Sequence, residues 1–243
     1  MTGVFLTAQW RHLAMLNYRI DPALLRPLVP SGTELDQWSG HAYVSVVGFL
    51  FLDTRVLGVP IPFHRNFEEL NLRFYVRRDA GGEMRRAVTF VKELVPRAAI
   101  AWTARLAYND PYRAVPMQHS VTASSEPPRP ERVEYRWRYP LTWGRLAVDP
   151  VGKGALAAEG SEEEFITEHY WGYTRQRDGG TVEYRVTHPK WRLWQVHASS
   201  LSGDLAALYG AAFAESLMRP PDSAFLAEGS PVEVYRPTHL PRR

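Results

Sequence analysis

Residues 67–77 read FEELNLRFYVR, the clearest strand pattern in the sequence. Apolar side chains recur there at every second position, which is the period of a β-strand. One face of this strand carries the aliphatic and aromatic side chains Leu70, Leu72, Phe74 and Val76. The other face carries Glu69, Asn71, Arg73 and Tyr75. We therefore predict a strand with one apolar face and one polar face.

The same pattern continues outward from this strand. Asp79-Ala80-Gly81-Gly82 predicts a turn into a second strand at 86–95, which gives a hairpin. Further strands are predicted at 41–52, 119–125, 132–139, 170–176, 181–187, 191–197 and 232–235. Helices are predicted at 23–28, 98–108, 162–167 and 204–217. Strands outnumber helices, so we expect an α+β fold with an antiparallel, barrel-like core.

Composition limits the classes of function. The chain has 243 residues, 45% of them hydrophobic and 23% charged, which is typical of a globular protein. It shows no repeat and no long linker, so we expect a single domain over residues 1–243. Cysteine is absent, which excludes a disulfide framework and a thiolate zinc site. The net charge of +3 is scattered, and this does not favour a nucleic-acid partner.

Several other sites and locations are disfavoured. Val151-Gly152-Lys153-Gly154 lacks the spacing of a phosphate-binding loop. His64 and Glu68 stand four residues apart and could share a metal if this stretch were helical, but an extended strand conformation holds them apart. We predict no metal and no cofactor. The N-terminal residues lack the pattern of a signal peptide, and no apolar run could span a membrane. We expect a cytoplasmic protein without a membrane partner.

The polar face of the first strand is the main candidate ligand site. Glu69, Asn71 and Arg73 bring a carboxylate, an amide and a guanidinium to one surface, where they could orient a small anionic or carbonyl ligand. His64 lies just before this strand and is a further candidate ligand-binding residue. The alternative is an exposed sheet face with cross-strand ion pairs.

Lys92 is a second candidate, this time for catalysis. In an ideal strand it shares a face with Val88 and Phe90, whereas Glu93 points the other way. A desolvated lysine has a lowered pKa and could form a Schiff base with a carbonyl substrate. The alternative is a lysine whose stem packs while its ammonium reaches a carboxylate.

Two other segments supply candidates. His169 and Tyr170, in an aromatic-rich stretch, could line a pocket, with His169 as a general acid or base; they could equally form a packed aromatic rib. Arg105 is the only charge of the apolar helix predicted at 98–108. It needs either a carboxylate partner or a bound anion.

Four stretches of this sequence resemble the YqjF-like family of uncharacterised bacterial proteins, the domain of unknown function 2071. They are residues 10–18, 47–49, 64–73 and 168–173, which read WRHLAMLNY, VGF, HRNFEELNLR and EHYWGY. The resemblance extends over about residues 3–238. It implies a bacterial protein, but the family has no established activity.

More distantly, the family is similar to the acetoacetate decarboxylase-like fold. The resemblance implies a cone-shaped antiparallel β-barrel with a flanking sheet and a few helices. It also implies an acidic residue in the strand context of Glu69. Where decarboxylases have Gly-Phe-Pro-Lys-Lys, this chain reads Asn109-Asp110-Pro111-Tyr112-Arg113. Both lysines are missing, so Schiff-base decarboxylation does not transfer to this position.

Two functions remain open at this point. One is an enzyme acting on a small keto- or carboxylate-bearing metabolite, with Arg73 or Arg105 holding the anion and Glu69 as acid or base; Lys92 or His169 would assist. The other is a non-catalytic ligand-binding or sensor protein on the same fold. Either function implies a small-molecule partner. Self-association through a sheet edge is compatible with the sequence, but no residue indicates it.

Overall fold

The computed structural model of the chain describes residues 3–97, 111–125 and 128–240. Its strands are β1 (Val4–Ile20), β2 (Glu34–Leu35), β3 (Ala42–Val56), β4 (Val59–Pro60), β5 (Phe67–Asp79), β6 (Met84–Val95), β7 (Tyr112–Ala114), β8 (Met117–Ser125), β9 (Pro128–Arg138), β10 (Trp143–Leu156), β11 (Trp171–Arg175), β12 (Thr181–Thr187), β13 (Arg192–Ser202), β14 (Ser223–Tyr235) and β15 (Thr238–His239). Its helices are α1 (Pro22–Leu25), which runs into a 3-10 turn (Arg26–Leu28), α2 (Glu162–Thr167), α3 (Leu205–Tyr209) and α4 (Ala211–Leu217).

Seven of these strands form a closed ring in the order β1-β3-β5-β6-β11-β12-β14. Two short pairings close it. Trp171 of β11 lies beside Ala87 of β6 in parallel, and Val186 of β12 lies beside Val234 of β14 in antiparallel. The other neighbours in the ring are all antiparallel. Closure removes the free edges that an open sheet would have, and it creates an interior.

A flanking sheet continues from the ring and packs against its outside. From β14 it runs through β13, β10 and β9 to β8. Buried side chains of this sheet, such as Tyr135 and Leu146, join a core with Val46 and Leu72 of the ring, and α3 and α4 contribute Leu208 and others. The predicted class, an α+β fold with an antiparallel barrel-like core, a flanking sheet and a few helices, is confirmed, and the parallel contact of β6 with β11 is an exception to the antiparallel pairing of the ring.

Strand β5 alternates as the sequence predicts, and both of its faces are buried. Leu70, Leu72, Phe74 and Val76 belong to the core between the ring and the flanking sheet. The opposite face points into the ring, where Glu69, Asn71 and Arg73 are only 3%, 2% and 9% exposed. The alternative of an exposed polar face is therefore wrong.

A bulge in β6 changes the expected faces of its last residues. Leu72 lies opposite Lys92, but Arg73 lies opposite Phe90, so Val91 is an extra residue in β6. A bulge shifts the alternation by one position. Glu93 consequently points into the ring and Lys92 points out of it, which corrects the prediction from ideal strand geometry.

Other differences from the sequence predictions have local causes. Residues 10–18 show no clean period, yet they form the middle of β1, whose pairing with β3 shifts between Arg11 and Ala14. The helix predicted at 204–217 is divided at Gly210, which has a φ of 89°. Strand β10 was missed. The helix predicted at 98–108, with Arg105, lies outside the described residues.

Gly48 fixes the distance between the ring and the flanking sheet. A Cβ added to Gly48 would lie 2.6 Å from the Tyr135 ring, which packs directly over the backbone of β3. Gly48→Ala should therefore lower the free energy of unfolding by about 1–3 kcal/mol, as overpacking does in other cores. Denaturant titration measures this change.

Gly3→Ala is the matched control, since a Cβ there meets nothing within 4 Å. The penalty of Gly48→Ala should shrink when Tyr135 is also replaced by leucine, because the ring that causes the clash is then gone. An equal penalty in both backgrounds would contradict this explanation of Gly48.

Candidate functional site

A cavity of about 210 Å³ lies inside the ring, lined by side chains from all seven ring strands. Most of these side chains are aromatic or aliphatic, including Trp10, Phe49 and Phe51. The polar side chains come mainly from β5 and from the segment after α2. An apolar pocket with a few convergent polar groups is the usual form of a small-molecule site.

Two hydrogen bonds orient the carboxylate of Glu69. Asn71 Nδ2 donates to Glu69 Oε1 over 3.1 Å, and the Tyr112 hydroxyl donates to Oε2 over 3.1 Å. Tyr112 reaches this point because β7 pairs with β6 beside Glu93. The arrangement holds a carboxylate at a fixed angle inside the cavity, as a general acid or base requires.

Arg73 places a guanidinium in the same cavity. One of its nitrogens, Nη2, donates to the Ile166 carbonyl over 3.1 Å and lies 4.0 Å from Met15 Sδ. Its Nε is buried without a hydrogen-bond partner. Within the described residues Arg73 forms no salt bridge, whereas Arg77, on the same strand, pairs with Glu34 at 2.8 Å. Within the described residues, Arg73 is therefore a buried cation that no carboxylate contacts within 4.0 Å, although Glu69 and Glu93 line the same cavity.

His169 follows α2 and is 7% exposed. Its ring packs on Tyr75 with a centroid distance of 4.8 Å and meets Phe165 edge-on. Burial, and then the charges of Arg86 and Arg73, hold the pKa of His169 well below its usual range. The imidazole is consequently neutral at pH 7. The Ile166 backbone lies close enough to oppose this lowering of the pKa, but within the described residues neither ring nitrogen has a partner with hydrogen-bond geometry.

Unpartnered polar atoms concentrate in this cavity. Among the described residues that line it, such atoms belong to Trp10 (Nε1), Thr54 (Oγ1), Asn71 (Oδ1), Arg73 (Nε) and His169 (Nδ1 and Nε2). A folded protein leaves few buried polar groups unsatisfied, and each such group calls for an explanation. A bound molecule with polar atoms would supply the missing partners.

The remaining predicted residues lie at the rim of the cavity or elsewhere. His64 lines the opening, with Nδ1 2.8 Å from the Pro62 carbonyl. Tyr170 packs behind His188, 4.9 Å between ring centroids, and donates its hydroxyl to Glu168. Lys92 donates to the Leu208 carbonyl of α3 and does not line the cavity. Arg105 lies outside the described residues.

The sequence analysis did not identify four residues that contribute polar or aromatic groups to the cavity. Glu93 was assigned to the wrong face because the bulge leaves no sequence signal. Tyr112 replaces a lysine in the segment that resembles the decarboxylase, and that position was itself a signal. Trp10 lies in a strand with an irregular pattern. His188 stacks on Trp191 at 4.2 Å, and nothing in the sequence marked it.

Two features are absent from the described part of the chain. No group of three or more histidine, aspartate or glutamate side chains is arranged to hold a metal ion there. None of its helices has both the length and the apolar character needed to cross a bilayer.

The lowered pKa of His169 predicts a pH dependence of stability. An unfolded histidine binds a proton near pH ~6.5, whereas folded His169 resists protonation. The unfolded state therefore binds more protons as the pH falls, and the free energy of unfolding decreases below pH ~6.5. Replacing His169 by phenylalanine should reduce this slope by up to about 1.4 kcal/mol per pH unit.

Denaturant unfolding between about pH 5 and 7.5 measures the slope. Burial also lowers the pKa values of His12 and His188, so the variant should keep part of the wild-type dependence. A slope that does not change in His169→Phe would show that His169 takes up its proton as easily in the folded state as in the unfolded state.

Comparisons with solved structures show the fold. The acetoacetate decarboxylase of Legionella pneumophila aligns with a TM-score of 0.68 at 12% identity, covering 99% of this chain and 88% of that one. An acetoacetate decarboxylase-like enzyme from Sphingomonas wittichii RW1 aligns with a TM-score of 0.66 at 16% identity, covering 99% and 95%. The enduracididine biosynthesis enzyme MppR, complexed with pyruvate, aligns with a TM-score of 0.68 at 12% identity, covering 99% and 91%.

Sequence comparisons show the family. The uncharacterized protein YqjF of Bacillus subtilis (strain 168) is 26% identical over 216 residues, which span 88% of this chain and 86% of that protein. The profile of DUF2071, described as "Uncharacterized conserved protein (COG2071)", matches residues 7–231. The chain therefore belongs to the DUF2071 family and has the acetoacetate decarboxylase-like fold.

Proposed function

We propose that this protein binds a small carboxylate-bearing metabolite, such as a keto acid, inside the ring. The observation that carries the proposal is Arg73, a 9% exposed guanidinium that lines the cavity and forms no salt bridge within the described residues. Arg73 would hold the carboxylate. Asn71 and His169, beside it in the cavity, would supply further hydrogen bonds.

The energetics of a buried charge support this assignment. Removing a guanidinium from water costs several kcal/mol unless a counter-charge with good geometry offsets the cost. Glu69 and Glu93 also line the cavity, but both already engage in further interactions. A ligand carboxylate can pair with the planar guanidinium through two hydrogen bonds. The same pairing would satisfy the orphan Nε.

One structural neighbour fits the proposal. MppR, which shares this fold, is described as complexed with pyruvate and with a condensation product of pyruvate. The identity to this chain is 12–14%, so the likeness shows the fold alone. It supports a keto acid as one kind of ligand that a protein of this fold binds.

The catalytic form of the proposal uses Glu69 as a general acid or base. The chain has three lysines, Lys92, Lys153 and Lys190, and none of them lines the cavity. A Schiff base in this cavity therefore has no lysine to form it. Glu69, which accepts hydrogen bonds from Asn71 and Tyr112, would instead move a proton at a carbon next to a carbonyl group.

Replacing Arg73 by glutamine tests the binding proposal. The variant should bind pyruvate and related acids about 10- to 100-fold more weakly, because a charge-assisted hydrogen bond contributes about 1.5–3 kcal/mol. Without ligand, its free energy of unfolding should equal or exceed that of the wild type, since an unpaired buried charge is removed. Isothermal titration calorimetry and denaturant unfolding measure the two quantities.

Arg77→Gln is the matched control on the same strand, because its side chain pairs with Glu34 outside the cavity. It should leave the affinity for acids unchanged. A loss of about 3–5 kcal/mol of stability in Arg73→Gln would instead indicate a structural ion pair and would count against the proposal.

Replacing Glu69 by glutamine separates the enzyme from the non-catalytic binding protein. If Glu69 moves protons, the wild type should exchange the protons next to the carbonyl of a bound keto acid with deuterated solvent. The variant should do so about 100-fold or more slowly while still binding the acid. Proton NMR follows the exchange. Binding by the wild type without any exchange would favour the ligand-binding or sensor function.

A further inference from the structure

We infer that the ligand is an elongated, amphipathic monocarboxylate that enters the ring with its carboxylate first. This inference rests on the proposed carboxylate site at Arg73 and extends it to the rest of the molecule that the cavity holds. It follows from the distribution of polarity along the cavity, from an orphan donor on its wall and from the apolar side chains around its opening.

The cavity is graded from an open, apolar end to a buried, polar end. At its opening, Ile61 is 38% exposed, and at the other end Asn71 and His169 are 2% and 7% exposed. Arg73 and Asn71, with His169, form what we call the polar floor. A ligand that brings its charge to the floor would pass Glu69, which lies opposite Phe49 in the strand register, and the remainder of the molecule would stay beside the aromatic residues at that level.

Between floor and opening stands an aromatic wall formed by Trp10, Phe49, Phe51 and Trp191. The Trp10 ring meets Phe49 and Phe51 edge-on, with centroid distances of 5.4 and 5.8 Å, and Trp191 at 6.3 Å. A two- or three-carbon acid bound at Arg73 would leave this wall without a partner. An apolar body along the wall would cover it and exclude water.

The strand register sets the scale of the ligand. Arg73 lies opposite Ser45 of β3, and Trp10 lies opposite Phe51 of the same strand. Six residues of strand separate these levels, an upper limit of about 20 Å. This upper limit exceeds the length of a chain of six to eight carbons, on the order of hexanoate or octanoate, which the cavity of about 210 Å³ would hold.

Two orphan polar groups lie among the apolar residues of the cavity. The indole Nε1 of Trp10 and the hydroxyl of Thr54 are buried without hydrogen-bond partners within the described residues. A buried tryptophan N–H usually finds an acceptor. An oxygen at the far end of the ligand, as a hydroxyl or carbonyl group, would accept from Trp10.

The surface near the opening is apolar, like the alkyl chain of the inferred ligand. Ile61 (38% exposed) lines the opening, and three apolar side chains close to it in sequence are also exposed: Leu57 (55%), Val59 (62%) and Phe63 (83%). Exposed apolar clusters of this kind mark sites of interaction with apolar molecules. An entering alkyl chain would contact these side chains before it reaches the aromatic wall.

A series of straight-chain acids tests the inference on the wild-type protein. Affinity measured by calorimetry should rise about fourfold per added methylene from butyrate to hexanoate, since burying a CH₂ contributes that factor, and then level off near octanoate. Hexylamine, the control of opposite charge, should bind at least 100-fold more weakly than hexanoate. Arg73→Gln should weaken every acid in the series by a similar factor.

The outcomes separate this inference from the proposed function. If butyrate and pyruvate bind in a way that depends on Arg73, but affinity does not rise with the chain length of the acid, the elongated ligand is wrong and the proposed carboxylate site is retained. If no acid binds, both fail. Binding of hexylamine as tight as that of hexanoate would also overturn both, because the carboxylates of Glu69 and Glu93 would then select the ligand.

Trp10→Phe tests whether an oxygen atom at the end of the ligand remote from its carboxylate accepts a hydrogen bond from Trp10. In the wild type, ω-hydroxyoctanoate should bind about fivefold more tightly than octanoate, and the variant should lose this difference because phenylalanine cannot donate. Trp143→Phe, on the flanking sheet, is the control and should retain it. A difference that persists in Trp10→Phe would overturn the placement of the oxygen beside Trp10.

Discussion

The alternation of side chains along β5 is the constraint on which both the core between the two sheets and the lining of the cavity depend. Every second residue from Leu70 to Val76 packs between the ring and the flanking sheet, and this apolar layer joins the two sheets. The intervening residues therefore face the inside of the ring. A strand buried on both faces usually carries apolar residues on both. In β5 the inner face instead carries Glu69, Asn71 and Arg73.

These three polar side chains give the cavity its chemistry. Among the described residues, two groups donate hydrogen bonds to Glu69. In the same part of the chain, Arg73 Nη2 has a carbonyl and a thioether sulfur as partners, and the guanidinium forms no salt bridge. The described residues therefore satisfy the Glu69 carboxylate better than the Arg73 guanidinium. Stability alone would favour the reverse or an apolar residue, so we attribute the unpaired guanidinium to binding.

Regular patterns in the sequence predicted much of the fold, whereas irregular strands did not. The β5–β6 hairpin, β12 and α2 follow from side-chain period and turn residues. The faces of Lys92 and Glu93 were interchanged, because one extra residue at Val91 inverts the rest of β6 and no residue type marks a bulge. Register shifts in the pairing of β1 with β3 are a similar irregularity, and because of them the sequence predicted neither β1 nor the position of Trp10. Three predicted site residues, Glu69, Asn71 and Arg73, share a face by period alone.

The residues that complete the cavity come from distant parts of the chain, which periodicity cannot bring together. Tyr112, His169 and His188 each follow or begin a short element. Pairing of β7 with β6 brings Tyr112 to the cavity, and the closure of the ring through β11 and β12 brings His169 and His188 there. The position of Tyr112 was marked by the resemblance to a decarboxylase, as the site of a missing lysine. Its hydroxyl bond to Glu69 required the structure.

A crystal structure of the protein with octanoate tests the central claim most directly. We expect the carboxylate oxygens within about 3 Å of the guanidinium of Arg73, with the alkyl chain along Trp10 and Phe51 toward the opening at Ile61. An empty ring with Arg73 turned to a protein carboxylate, or octanoate bound outside the ring, would contradict the assignment of Arg73 as the anion site.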